Sequence, residues 1–252
     1  MSRPLLLNIG NTHTQIAAAG LTPEAVVRIE TARLLKAPDA VPGLAGDPRR
    51  PVVAACVVPD AAAALRRAWP DREFRFITAE LLPGLDFSQV APRTLGADRL
   101  ANAVAALTLV APPVIVLDCG TALSSVAIDA ARRFRGGAIL PGRRLLRLAL
   151  HRHTGQLPDV PMADTIPHAL GTCTTEAILA GTDLAAVGAI QHVLDAMRRE
   201  LGAPDCPVLA TGGDAPFFRA ALPWLRPAPE PFTLRGIAQI AAQLHFRHDP
   251  RI

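Results

Sequence analysis

The chain has 252 residues, half of them apolar and 19% charged, which suits one large domain or two of middling size and excludes wholesale disorder. Its net charge of +4 and pI of about 9.4 rest almost wholly on arginine. Lys36 is the only lysine, and Arg49-Arg50, Arg66-Arg67, Arg132-Arg133, Arg143-Arg144 and Arg198-Arg199 are isolated pairs in a chain without tyrosine, so a solvated basic surface is expected rather than nucleic-acid binding.

Cys56, Cys119, Cys173 and Cys206 lie far apart in apolar or turn contexts. They show no metal-ligand spacing and no disulfide framework, so reduced, buried thiols are expected. The N-terminus lacks the pattern of a signal peptide, and the longest apolar stretches carry charges or prolines. A cytoplasmic protein with no membrane span is the expectation.

In chain order, Leu5 to Asn8 reads as a buried strand. Gln15 to Ala19 is its hairpin partner across Gly10-Asn11-Thr12-His13, and Val26 to Thr31 is a third strand. Pro51 to Val58 is a continuous apolar run and predicts a central strand. Asp60 to Trp69 is alanine-rich and helical with Asp60 as N-cap. A short strand at Phe74 to Ile77 and a turn-rich stretch from Thr78 to Pro92 follow.

Asp98 to Val110 predicts a helix ended by Pro112-Pro113. Val114 to Leu117 and Ser124 to Ile128 read as a second hairpin, followed by a strand at Phe134 to Leu140 and a helix at about 143–151. Residues 154–170 form a loop, and Thr174 to Glu200 a long helix. A strand at Val208 to Ala210 runs into Thr211-Gly212-Gly213-Asp214 and a short helix. The last helix spans Phe232 to Phe246. Each half thus opens strand, glycine turn, strand, strand, a pseudo-repeat of mixed α/β type with its boundary near Pro112-Pro113.

Two of the glycine turns carry the chemistry. Asn8-Ile9-Gly10-Asn11-Thr12 and Asp118-Cys119-Gly120-Thr121-Ala122 each place a polar side chain at a strand end, then a glycine, then small polar groups. Such turns bring backbone N–H groups close to a phosphate. Asp98, at a helix start where the dipole favours a carboxylate, can take a proton from an acceptor hydroxyl or merely cap its helix. Arg99 offers a planar fork suited to a carboxylate.

The ordered set Gly10-Asn11-Thr12, Gly96-Ala97-Asp98-Arg99, Asp118 to Ala122, Gly136 to Gly142, Leu157-Pro158, Thr174 to Gly181 and Thr211 to Asp214 resembles the type III pantothenate kinases. These belong to the acetate and sugar kinase/Hsp70/actin superfamily. The resemblance implies an α/β fold of two ribonuclease-H-like, actin-like ATPase halves, 1–112 and 113–252, with mixed sheets flanked by helices and a nucleotide cleft. It implies phosphorylation of the terminal hydroxyl of pantothenate by ATP, with Mg²⁺ and a monovalent cation such as K⁺ or NH₄⁺, in a homodimer.

Carried onto this chain, the resemblance makes Asp98 the catalytic base and Gly96, Ala97, Asp98, Arg99 and Thr174 the pantothenate site. Asn8, Gly10, Asn11, Thr12, Thr121, Gly212 and Gly213 hold ATP, with Asp214 near the nucleoside, and Asp118 holds the cation. Gly136-Gly137 and Pro141-Gly142 are read as turn geometry. The chain departs from the family in three places. Asn8 stands for the usual aspartate, Val90-Ala91-Pro92 occupies a stretch that often holds tyrosine, and Cys173 replaces an asparagine. Gln15 stands where some members have lysine. A protein that binds nucleotide or a pantothenate-like ligand without turnover, or a kinase of another small hydroxy acid, would present the same turns.

Overall fold

In the computed structural model, which describes residues 3–18, 21–22, 25–47, 49–82 and 84–246, the first apolar run forms β1 (Leu5–Ile9). The chain turns through Gly10 to Thr12 into β2 (His13–Ala17) and then β3 (Val26–Glu30). β2 begins two residues before the expected Gln15 because the Gly10 N–H donates to the His13 carbonyl at 3.0 Å and closes the hairpin at once. The expected end of that strand, Ala19, lies outside the described residues.

Helix α1 (Thr31–Lys36) follows where only strand and loop were expected. Then come β4 (Val52–Cys56), α2 (Pro59–Ala68), β5 (Phe74–Phe76) and α3 (Ala97–Leu109). Val58, not Asp60, stands at the N-cap of α2. Pro59 takes the first helical position, where its fixed φ and missing N–H cost nothing, and moves the start forward. The strand order is β3-β2-β1-β4-β5. β1, β4 and β5 run parallel, while β2 and β3 are antiparallel additions. Leu5, Leu7, Ile9, Ile16, Leu34, Val52 and Leu65 form one buried cluster on this sheet.

The second series is β6 (Val114–Cys119), β7 (Ala122–Ile128), β8 (Phe134–Gly136), β9 (Ile139–Pro141), α4 (Arg143–His153), α5 (Thr174–Glu200), β10 (Val208–Thr211), α6 (Ala215–Ala221), β11 (Arg226–Pro227) and α7 (Phe232–Ala242). Its sheet runs β11-β10-β6-β7-β8, with β9 also on β7. This is the first sheet's order again: one central strand, an antiparallel hairpin on one side and parallel strands on the other. The single strand expected from Phe134 to Leu140 is two, since Ala138 gives its N–H to the Ser125 hydroxyl at 2.9 Å rather than to a ladder carbonyl.

Helix α5 has the bounds read from sequence. Among the described residues it is the one helix long and apolar enough to cross a membrane by length and composition. Its Ala186, Ile190 and Leu194 sit in the second sheet's buried cluster with Phe217 and Phe218, which is the packing of a core helix.

Two compact units result: residues up to Val110 together with those from Glu230 onward, and Ala111–Pro229. The first boundary falls beside Pro112. The far end differs from the expected division at 113–252, because α7 packs on α3 and β1 of the first unit. Thr233 donates to the buried Asn102 carboxamide on α3 at 2.8 Å. At Gly236 the helices touch backbone to backbone, and a Cβ there would stand 1.9 Å from the Ala101 carbonyl oxygen. Gly236→Ala is therefore expected to destabilise the first unit by about 2 kcal/mol or more. Calorimetry should read this as a fall of about 2–4 °C in Tm per kcal/mol.

Candidate active site

In the first unit, the turn after β1 is held from below. Thr31, buried at the start of α1, donates its hydroxyl to the Gly10 carbonyl at 2.7 Å. Its N–H reaches the Thr12 carbonyl at 2.9 Å, and its Oγ1 lies 3.0 Å from that of Thr14. Asn11 and Thr12 are exposed at the tip. Asn8 lies opposite Gln15 in the antiparallel register, and its Nδ2 donates to Gln15 Oε1 at 3.0 Å. On the same side of β2, His13 Nδ1 lies 3.0 Å from Arg28 Nη2. Burial and then the Arg28 charge push the imidazole below its ordinary value, with Glu30 opposing, so the neutral ring accepts from the guanidinium.

Gly96, Ala97, Asp98 and Arg99 lie together where α3 begins, with Gly96 at the N-cap and Asp98 in the first turn. Asp98 Oδ1 accepts the Arg99 backbone N–H at 2.7 Å. That bond fixes the orientation of the Asp98 carboxyl at the helix start.

In the second unit, three turns converge on the ends of β6 and β10. Asp118 and Thr211 are register partners on these parallel strands. The Gly120 N–H donates to the Ala122 carbonyl at 3.2 Å, the Gly142 N–H to the Thr121 carbonyl at 3.1 Å, and the Asp214 N–H to the Cys119 carbonyl at 3.0 Å. Gly212 has a φ of +94°, and a Cβ there would stand 2.6 Å from both Asp118 Oδ1 and the Cys119 carbonyl oxygen. Only glycine fits that conformation and that approach. Asp118, Thr121, Gly212 and Gly213 are thus one cluster. Thr174 is exposed at the first turn of α5.

The family model for type III pantothenate kinase matches residues 4–196. A type III pantothenate kinase of Rubrobacter xylanophilus is 32% identical over 210 residues, 81% of this chain and 80% of that one. One of Roseiflexus castenholzii is 34% identical over 250 residues, 94% of this chain and 97% of that one. The chain belongs to the type III pantothenate kinase family.

Among solved structures, a conserved putative Baf family transcriptional activator from Campylobacter jejuni is similar with a TM-score of 0.64 at 18% identity, covering 94% of this chain and 97% of that one. A putative 2-dehydro-3-deoxygalactonokinase from Sinorhizobium meliloti gives 0.56 at 15% identity, covering 95% and 98%. At these identities they support the fold alone, an α/β architecture of the sugar kinase and actin type.

The arginine pairs were expected on a solvated surface, and Arg143 is a correction. Arg143 and Arg147 on α4 are fully buried, as is Asp183 on α5. Arg147 Nη2 donates to both Asp183 oxygens at 2.6 and 2.8 Å, and its Nη1 to the Pro161 carbonyl. Arg143 reaches Asp183 at 3.1 Å and Asp214 at 2.5 Å. Burial opposes the Arg143 charge, but Asp214 and then Asp183 outweigh it and hold the guanidinium above its ordinary range. Asp214, expected near the nucleoside, is thus held by Arg143.

Burial, then the Asp118 and Asp214 carboxylates, push the Cys119 thiol far up. It is a neutral packing group. Cys206 is buried too, but Cys173 is exposed and Cys56 only half-buried, against the expectation of buried thiols throughout.

Thr31 and this network escaped the sequence reading. The only written signal for the network was an aspartate, Asp183, within the apolar middle of one helix and arginines spaced by four on another. Asp183→Ala leaves both guanidiniums short of countercharge and is expected to cost about 3–5 kcal/mol. Urea unfolding should show this as a large fall in the midpoint, and a shift below about 1 kcal/mol would refute the network's weight.

Proposed function

We propose that the chain transfers the γ-phosphoryl group of ATP to the terminal hydroxyl of pantothenate. Membership of the family, with Asp98 standing at a helix start inside Gly96-Ala97-Asp98-Arg99, carries this reading. As the hydroxyl oxygen bonds to the γ-phosphorus, its proton passes to the Asp98 carboxylate. The bond from phosphorus to the β,γ-bridging oxygen breaks, and ADP leaves with that electron pair. Asp98 Oδ1, fixed by the Arg99 N–H, keeps the carboxyl in one orientation.

Arg99 makes no ion pair among the described residues, and a guanidinium fork suits the pantothenate carboxylate. Gly96, Ala97 and Thr174 complete the pantothenate site. Gly10, Asn11, Thr12 and Thr121 contact phosphates through turn N–H and hydroxyl groups, and Gly212 and Gly213 meet the nucleotide.

A kinase of this family uses ATP with a divalent metal ion, which neutralises phosphate charge. Among the described residues there is no group of three His, Cys, Asp or Glu side chains able to hold a metal. That fits Mg²⁺ carried by substrate phosphates and one or two protein oxygens. Asp118, beside Gly212 at the turn cluster, and the oxygen of Asn8 are the groups that would hold Mg²⁺ or a monovalent cation such as K⁺ or NH₄⁺.

A homodimer in the cytoplasm completes the proposal. The exposed stripe Ala177, Gly181, Ala185 and Gly188 on α5 supports close helix pairing. So do exposed Met162, Ile166 and Leu170, the last 87% exposed.

A coupled ADP-release assay tests the reading. ADP formation should require both pantothenate and Mg²⁺ and rise with K⁺ or NH₄⁺; folded protein without turnover at high ATP would refute it. Asp98→Asn should reduce kcat at least about a hundredfold while leaving the melting curve in place. Asn8→Asp should raise kcat/KM for Mg·ATP about tenfold by restoring a charge-assisted contact. No gain would mean that the amide is not the weak point.

A further inference from the structure

The turn Gly212-Gly213-Asp214 is gripped from two sides. On one side lies β6: the Asp214 N–H donates to the Cys119 carbonyl at 3.0 Å, and Gly212 presses against Asp118. On the other lies the first residue of α4. Arg143 donates Nε to Asp214 Oδ2 at 2.8 Å and Nη2 to Oδ1 at 2.5 Å. These two parallel bonds fix the plane of the carboxylate as well as its position.

The guanidinium is itself immobile. Nη1 donates to the Ala163 carbonyl at 2.9 Å and to Asp183 at 3.1 Å. The group stacks over the Phe217 ring, 3.4 Å from its centroid, and its side chain is wholly buried. Asp214, by contrast, keeps 16% of its side chain exposed at the edge of the turn. The chain of contact runs from a rigid interior cation to the residue next to Gly213, itself exposed.

We infer that Arg143 is a positioning residue for the nucleotide: through Asp214 it fixes the Gly212-Gly213 backbone in the conformation that meets ATP. This rests on the reading above that the nucleotide lies against this turn. The neighbouring Arg147 separates this role from mere stability. It lies one turn along the same helix, is buried to the same extent and shares Asp183, but makes no hydrogen bond to Asp214.

A lysine at either site keeps the charge and loses the fork. If the network only stabilises the unit, the two lysine variants will differ in nothing but melting temperature. If Arg143 positions the turn, only its variant will change nucleotide binding.

The test is ADP binding by calorimetry, with the kcat and KM for ATP, on the full chain after each variant's folding is checked by melting. Arg143→Lys and Asp214→Asn should raise the ADP Kd and the ATP KM about tenfold, since misplacement of a binding group by a fraction of an ångström is felt at that scale. The double variant should be little worse than the worse single, as residues acting in one chain are non-additive. Arg147→Lys should lower Tm yet leave the ADP Kd within about twofold.

Gly213→Val tests the underlying reading, because a Cβ there meets nothing within 4 Å and should obstruct only a ligand. ADP bound as tightly by Gly213→Val as by the parent overturns the nucleotide's placement and the inference with it. ADP binding weakened by Gly213→Val but unchanged in Arg143→Lys overturns the inference alone. So does an equal loss in Arg147→Lys. Should Asp214→Asn fail to fold, Arg143→Lys, which retains the charge, carries the decision.

Discussion

Both units depend on one constraint: the chain must reverse immediately after a central strand, so tightly that a glycine N–H bonds to a carbonyl two or three residues on. Gly10 does this to His13 and Gly120 to Ala122. The reversal puts the antiparallel hairpin on one side of the central strand and leaves the other side for parallel strands. It also exposes Asn11 and Thr12 in one unit and Gly120 and Thr121 in the other. The same geometry that sets the strand order therefore presents small polar groups and backbone donors at the strand's carboxyl end, where α/β sheets bind ligands.

A tight turn is not by itself a rigid one, and the two units stiffen theirs differently. The first uses neutral groups: the Thr31 hydroxyl bonds to Gly10 and Thr14, and its backbone N–H to Thr12. The second uses buried charge, with Arg143, Arg147, Asp183 and Asp214 tying α4, α5 and the third glycine turn together. Desolvating four ions is costly and is offset only when nearly every donor is used. Arg143 and Arg147 meet that condition by also donating to the Ala163 and Pro161 carbonyls, so the network pins the loop before α5 as well. The stability it adds is modest compared with the cost of breaking it, which suits a device that specifies one geometry.

Much of this was legible in sequence. Turn chemistry and runs of apolar residues are local signals, and they located both hairpins, the central strands and the bounds of α5. The departures have non-local causes. Phe134 to Leu140 breaks in two because Ser125, on another strand, captures Ala138. The last helix joins the first unit because Gly236 permits contact with Ala101, a fit between residues more than a hundred positions apart. Arg143 looked like a surface cation because its partners lie 40 and 71 residues away. The family motifs single out Asp98 and the glycine turns as candidates, but nothing in them marks Asp214 as an inward-facing anchor.

The two principal turns share a backbone and differ in charge, and the side chains around them explain how this chain tolerates the difference. A lone neutral residue opposite a cationic partner would leave that cation uncompensated. Here Asn8 faces Gln15, amide against amide, with Nδ2 donating to Oε1 at 3.0 Å, so neither residue strands a charge. With Nδ2 engaged, the planar carboxamide directs its oxygen elsewhere, and oxygen is the atom a hard cation accepts. A carboxylate at that position would also be tolerated, because Gln15 can rotate its amide to donate instead of accept. In the proposed reading, the missing charge thus falls on the metal and not on the fold. The Asp118 turn, by contrast, keeps its carboxylate, and the Gly212 backbone packed against Asp118 Oδ1 holds that carboxylate in place.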